Sequence, residues 1–163
     1  MFPDEILQVA EQVLKRCRGA ELQIVTAESC TGGLIAGCLT EISGSSDVVD
    51  RGFITYTNQA KHQMLGVLNS HFDTVGAVSE VVARAMAEGA IIHSDGDVSL
   101  SVTGVAGPGG GSDEKPIGLV HMAVGRKNGV TLHERHVFTG DRTAVRMATV
   151  KFGLLLINKS LDQ

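Results

Sequence analysis

Residues 25–33, Val-Thr-Ala-Glu-Ser-Cys-Thr-Gly-Gly, constrain the fold of this chain more than any other stretch. A strand-like apolar run leads into them, and an amphipathic segment begins at Leu34. The order strand, Ser/Thr/Gly turn and helix places small nucleophilic side chains and free backbone N–H groups at a helix start. Such a start favours negative charge. We therefore expect the turn either to hold a phosphate or to carry a serine that attacks a carbonyl.

Helical and strand-like periodicities alternate along the rest of the chain. The pattern predicts helices over 4–18, 32–42, 59–65, 79–93 and 142–159, and strands over 22–28, 48–57, 97–104, 118–126 and 130–138. The last two strands flank a Lys-Asn-Gly turn and are expected to form an antiparallel hairpin. Strands interspersed with helices indicate a three-layer α/β/α sandwich with a mixed sheet. With 163 residues, we expect a single domain over 1–163.

Composition excludes several classes of function. A net charge of −4 without any basic block, and six aromatic residues without Trp, argue against nucleic-acid binding. The longest apolar run, 152–157, is too short to span a membrane. Three cysteines without a CxxC pair and an acidic N-terminus predict a cytoplasmic protein. The sequence leaves the oligomeric state open, a homodimer included.

Metal and cofactor sites are not expected. Six histidines are scattered along the chain, and the closest pair, His133 and His136, lies three apart on a predicted strand and so points to opposite faces. No HExxH motif or cysteine cluster supports a zinc site. We predict neither a catalytic metal nor a cofactor.

A glycine-rich loop at 104–111 follows a predicted strand and looks like a phosphate cradle. It lacks the Gly-Lys-Ser/Thr of a Walker loop, and it leads into a strand where a dinucleotide-binding loop leads into a helix. A plain structural loop and a ligand-contacting loop both remain open. The SxxK match at 112–115 is rejected, since Gly and Pro on either side prevent the helix that this motif requires.

The turn offers Ser29 and Cys30 as nucleophiles. A cysteine nucleophile usually works with a histidine, and none has a suitable motif context, so Cys30 is expected to be a packing residue. A second junction carries Tyr56, the only tyrosine, and Lys61. A desolvated lysine loses its proton more easily and is able to take one from a serine hydroxyl. Tyr56 is expected to hydrogen-bond Ser29 or Lys61, and the alternative is a surface lysine beside a half-buried tyrosine.

Five motifs, in order along nearly the whole chain, resemble the CinA C-terminal domain family; they lie at 27–33, 51–61, 76–79, 103–108 and 140–142. Stand-alone bacterial members of this family are nicotinamide-nucleotide amidases. The resemblance therefore implies hydrolysis of nicotinamide mononucleotide to nicotinic acid mononucleotide and ammonia, in pyridine nucleotide recycling. Longer members carry a further N-terminal domain, for which this chain is too short. The alternative is a non-catalytic nucleotide-binding or interaction module.

The resemblance also implies site roles. Ser29 corresponds to the nucleophile, Lys61 to its general base and Tyr56 to a group near both. Backbone N–H groups at 31–33 are expected to stabilise the oxyanion. Arg142 is the expected partner of phosphate or carboxamide, because a guanidinium forks onto planar oxygens, and Arg146 one turn later is able to share that work. The implied substrate-binding residues are Thr31, Gly32, Gly33, Ser46, Thr103, Gly104 and Arg142.

Overall fold

A computed structural model describes residues 1–163 and places five strands in one sheet. The strands are β1 (Ile24–Glu28), β2 (Val49–Ile54), β3 (Val98–Gly104), β4 (Leu119–Arg126) and β5 (Leu132–Val137). Their order is β2-β1-β3-β4-β5, with β1 parallel to both neighbours and β3, β4 and β5 antiparallel in turn. The predicted mixed sheet and the terminal hairpin are confirmed.

Six α-helices cover the sheet: α1 (Asp4–Gly19), α2 (Leu34–Thr40), α3 (Asn58–Leu65), α4 (Asn69–Thr74), α5 (Glu80–Ile92) and α6 (Arg142–Ser160). Helices α1, α2 and α6 pack on one face in the main apolar core, and α3 and α5 pack on the other. This confirms the three-layer α/β/α sandwich. No helix in the structure combines the length and apolar character that crossing a membrane requires.

The sequence pattern missed helix α4 and a single 3₁₀ turn at Ser45–Asp47. Helix α4 has six residues, none of them buried, and its N-cap residue makes no side-chain capping bond. Without an apolar stripe or a cap, a helix this short leaves no periodic signal in the sequence.

Helix α5 lies close to the sheet because small residues line the contact. Ser99 and Ser101 on β3 donate hydrogen bonds to the carbonyls of Ala87 and Ala83 at 2.7 and 2.6 Å. On the opposite side of α5, Gly89 faces helix α3 so closely that a Cβ there would lie 2.0 Å from the Leu65 carbonyl oxygen. This close packing holds α3 against α5.

Candidate active site

Ser29 directly follows β1, at the carboxyl end of the parallel strands. Its N–H donates to the Val102 carbonyl of β3 at 3.1 Å, so the turn begins in register with the sheet. The connection after β1 passes over one face and the connection after β2 over the other, which is the position where open α/β sheets bind ligands. Because side chains alternate along a strand, Glu28 points towards α2 and Ser29 towards α3.

Lys61 reaches Ser29 from helix α3. Thr57 caps this helix, its Oγ1 accepting from the Ala60 N–H at 3.1 Å, and Lys61 follows one turn later. The side chain is only 1% exposed, and its Nζ lies 2.9 Å from the Ser29 Oγ. Removal from water lowers the pKa of Lys61 from 10.5 to about 8. The structure thus brings the two residues expected to be nucleophile and base into hydrogen-bonding distance.

Three oxygen atoms surround the Lys61 amine, the Ser29 hydroxyl and two backbone carbonyls. Its Nζ donates to the backbone carbonyls of Thr55 at 2.8 Å and Tyr56 at 3.4 Å. A neutral amine has two N–H bonds and one lone pair, so these two carbonyls occupy both donors. In that neutral form the lone pair is left to accept the hydroxyl proton of Ser29, whereas the ammonium donates to the Ser29 Oγ as well.

Cys30 is a buried packing residue next to Ser29, the expected nucleophile. Burial raises the pKa of its thiol to about 12, so the reactive thiolate is scarce at neutral pH. No histidine lines the cleft beside it. Both observations agree with the expectation that Cys30 is not the nucleophile.

The start of helix α2 already holds an anion, the carboxylate of Glu28. This buried group accepts backbone N–H bonds from Gly33 at 3.1 Å, Ile35 at 3.0 Å and Ala36 at 2.9 Å. A carboxylate is favourable there because it meets unsatisfied donors and the positive end of the helix dipole. Of the two alternatives from the sequence, the phosphate at this helix start is therefore disfavoured, and the attacking serine remains.

Because Glu28 binds this helix start, the predicted oxyanion donors at 31–33 also change. The Gly33 N–H is bound by Glu28, and the Gly32 N–H donates to the Ser29 carbonyl at 3.1 Å. Of the predicted donors, only Thr31 keeps a free N–H, and Cys30, which the prediction left out, has a second. Gly32 and Gly33 instead shape the turn, with φ angles of 60° and 101° that favour glycine.

Tyr56 lies at the rim of the cleft, and its side chain is not where the sequence predicted it. Its hydroxyl accepts a hydrogen bond from Arg142 Nη2 at 3.0 Å, and only its backbone carbonyl contacts Lys61. Arg142 also donates from Nη1 to the Gly107 carbonyl at 2.8 Å. The tyrosine residue is 59% exposed. The expected hydrogen bond from its hydroxyl to Ser29 or Lys61 is thus replaced by one to Arg142.

The cleft in front of Ser29 has a volume of about 290 Å³, near the lower end for small-molecule sites. Thr103 and Gly104 line it as predicted, although the Thr103 hydroxyl is taken by the Ala77 carbonyl at 2.9 Å. The glycine-rich loop also lines it, which favours the ligand-contact interpretation. No Asp or Glu does so. Sequence reasoning missed Asn58, whose only signal was its place in the motif at 51–61.

Of the remaining predicted residues, Thr31, Ser46 and Arg146 also lie outside the cleft, and Thr31 is fully buried. Ser46 is exposed in the 3₁₀ turn before β2, beside the residues that lead into β1. Because β1 and β2 are parallel, this is the amino end of the strands, opposite Ser29, so Ser46 is not a cleft residue in this chain. Arg146 binds the backbone of the nucleophile turn and does not line the cleft.

The histidines do not gather into a metal site. No group of three or more His, Cys, Asp or Glu side chains is arranged to hold an ion. His133 lies 2.9 Å from His121, whereas His136 stacks on Phe138 and Phe152. As predicted, His133 and His136 point to opposite faces of the sheet.

Fold and site together define a class: a three-layer α/β/α domain with a serine and a buried lysine paired at the end of a parallel strand, in a cleft open to a small molecule. Comparison with known proteins gives the family. The model of the CinA C-terminal domain matches residues 6–161, and the chain belongs to this family.

Individual relatives agree with the family assignment. The chain is 44% identical over 154 residues to the nicotinamide-nucleotide amidohydrolase PncC of Escherichia coli K12, covering 94% of this chain and 93% of that protein. It is 48% identical to a putative competence-damage inducible protein of Caldicellulosiruptor bescii but spans only 34% of its length. The crystal structure of the competence/damage inducible protein CihA from Agrobacterium tumefaciens superimposes with a TM-score of 0.96 at 50% identity, covering 100% of this chain and 99% of that one.

Proposed function

We propose that this chain is a nicotinamide-nucleotide amidase that hydrolyses nicotinamide mononucleotide to nicotinic acid mononucleotide and ammonia. The observation that carries the proposal is the buried Lys61 amine, 2.9 Å from the Ser29 hydroxyl at the floor of a cleft. The E. coli relative of nearly equal length, named an amidohydrolase of this substrate class, supports the choice of substrate.

Acylation begins with Lys61 in its neutral form. Its lone pair takes the hydroxyl proton as Ser29 Oγ attacks the carboxamide carbon. Negative charge develops on the carboxamide oxygen, for which the turn offers the free N–H groups of Cys30 and Thr31. The Thr55 and Tyr56 carbonyls then stabilise the Lys61 ammonium through its other N–H groups.

Collapse of the tetrahedral intermediate breaks the C–N bond. The Lys61 ammonium gives its proton to the departing nitrogen, which leaves as ammonia and returns Lys61 to the neutral form. A water molecule, deprotonated by Lys61, then attacks the Ser29 ester. Carboxylate is released and the serine hydroxyl is restored.

An anionic substrate fits the charge of the cleft. Arg142 is a cation on its wall, no carboxylate opposes it, and two of its five N–H donors are used within the protein. The N–H groups of Gly107, Gly109 and Gly110 donate no hydrogen bond within the chain. These donors suit the nucleotide phosphate, while Val105 and Ala106 give an apolar wall for the pyridine ring.

We place the reaction in the cytoplasm. All three cysteines, Cys17, Cys30 and Cys38, are unpaired and buried. Unpaired thiols are typical of a reducing compartment.

Ammonia release and calorimetric binding of nicotinamide mononucleotide test the proposal, each measured with EDTA present. Wild-type protein should bind and turn over the nucleotide. Ser29→Ala and Lys61→Arg should retain binding and lose at least about 10³-fold in kcat, because the first lacks the nucleophile and the second a free amine. Tight binding without turnover by the wild type would favour the non-catalytic module, and activity restored only by a divalent ion would contradict the metal-free mechanism.

A further inference from the structure

Arg146 holds the backbone of the nucleophile turn from helix α6. Its Nε donates to the Cys30 carbonyl at 3.1 Å and its Nη2 to the Thr31 carbonyl at 2.9 Å. The side chain is half-buried and forms no salt bridge with any Asp or Glu. The guanidinium charge is therefore directed at two peptide groups next to Ser29.

Peptide geometry passes this contact on to the N–H group at the other end of each peptide. The C=O and N–H of one trans peptide point in opposite directions. By binding the Cys30 carbonyl, Arg146 orients the N–H of Thr31, which belongs to the same peptide and has no partner in the chain. By binding the Thr31 carbonyl, it also orients the Gly32 N–H, which donates to Ser29.

We propose that Arg146 is a positioning residue for catalysis: it fixes and polarises the Cys30–Thr31 peptide so that the Thr31 N–H donates to the oxyanion. The proposal rests on the proposed function in requiring a Ser29 nucleophile. A cation bonded to the carbonyl end of a peptide strengthens its N–H as a donor, as in a hydrogen-bond chain. Such a donor acts on the transition state more than on bound substrate, so its loss lowers kcat and leaves KM nearly unchanged.

The experiment compares wild type with Arg146→Gln, Arg146→Lys and the control Lys151→Gln. Lys151 lies on the same helix, forms an ion pair with Glu5 and makes no hydrogen bond to the turn. Two rates are measured: phosphonylation of Ser29 by a fluorophosphonate, located by mass spectrometry, and ammonia release from nicotinamide mononucleotide. The first rate depends on the nucleophile turn without requiring the physiological substrate.

Arg146→Gln should lower both rates about 10- to 100-fold, with KM within about threefold and the pH inflection of kcat/KM unmoved. Both rates of Arg146→Lys should lie between those of Arg146→Gln and wild type, because lysine keeps the charge with a different donor geometry. Both rates of Lys151→Gln should match those of wild type. If Ser29 in Arg146→Gln were phosphonylated at the wild-type rate, the inference would be overturned. Should that variant fail to fold, the wild-type rate in Arg146→Lys would overturn it. Phosphonylation of wild-type Ser29 without turnover of nicotinamide mononucleotide would refute the proposed substrate and leave the role of Arg146 standing. No phosphonylation of wild-type Ser29 would overturn both the proposed function and the role of Arg146.

Discussion

Replacing Lys61 by Met tests the state of the buried amine through stability. Desolvation lowers the pKa of Lys61 in the folded protein from 10.5 to about 8, while the unfolded chain returns the amine to water. Between these two pH values the folded state binds fewer protons than the unfolded state. The free energy of unfolding of the wild type should therefore rise with pH across this window, relative to a variant that lacks the amine.

The magnitude follows from the same two values. A fall in pKa from 10.5 to about 8, at 1.36 kcal/mol per tenfold change in proton affinity, corresponds to about 3 kcal/mol. Below pH 8 Lys61 is protonated in both states and the whole penalty is present; it disappears as the pH approaches 10.5. The Met variant also loses hydrogen bonds to the Thr55 and Tyr56 carbonyls, about 1–3 kcal/mol for each group left unpaired, a cost that is nearly independent of pH.

Urea unfolding at pH 7 and pH 10 separates the two contributions. The stability of wild type minus that of Lys61→Met should rise by about 2–3 kcal/mol between these pH values, since the pH-independent cost cancels. Lys127→Met, which removes an exposed lysine in the hairpin turn, controls for loss of a charge. The kcat/KM of the wild type should rise through the same pKa near 8. A difference that does not change with pH would refute the desolvated amine, and with it the reason for assigning Lys61 as the base.

Three further outcomes follow from the geometry. Cys30→Ala should retain at least about half of the wild-type kcat for ammonia release, because burial raises the thiol pKa to about 12 and leaves little thiolate. Arg142→Gln should raise KM about 10- to 100-fold with a smaller change in kcat, measured by steady-state kinetics, since it removes the charge that suits the phosphate. Gly89→Ala should lower the free energy of unfolding by about 1–3 kcal/mol in urea, and kcat as well, because its Cβ would press on Leu65 in the helix that carries Lys61. A Gly89→Ala protein of wild-type stability would contradict the close packing of α3 against α5.

The sequence predicted the layers of the fold because most elements carry a strong local signal. Helix α1 buries Ile6, Ala10, Val13 and Leu14, the apolar stripe seen in the sequence. The hairpin of β4 and β5 surrounds a turn in which Asn128 adopts a positive φ of 64°, as Asn tolerates. The strand order was not predictable, because β1 lies between β2 and β3 and no local sequence pattern indicates which strands are neighbours.

The chemistry of the site was predictable where residue type decides it. A serine in a strand-to-helix turn and a lysine at a second junction pointed to the pair that the structure brings together. The direction of the Tyr56 side chain was not predictable, since it depends on Arg142, 86 positions away in the sequence. The prediction that Ser46 lies in the substrate site was wrong for a related reason. It is the connection into β2 that places it at the amino end of the strands.

Glu28 shows how a correct local prediction named the wrong anion. A helix start rich in free N–H groups was expected to bind an anion, and it does, but the anion is the carboxylate one residue before the nucleophile. This internal anion leaves free only the two N–H groups between Ser29 and the glycines, those of Cys30 and Thr31. Any stabilisation of an oxyanion by this turn therefore depends on the orientation of those two peptides. Arg146 holds the peptide that carries the Thr31 N–H, whereas the peptide that carries the Cys30 N–H is held through the Ser29 carbonyl by the Gly32 N–H. The Thr31 donor therefore depends on an arginine that does not line the cleft.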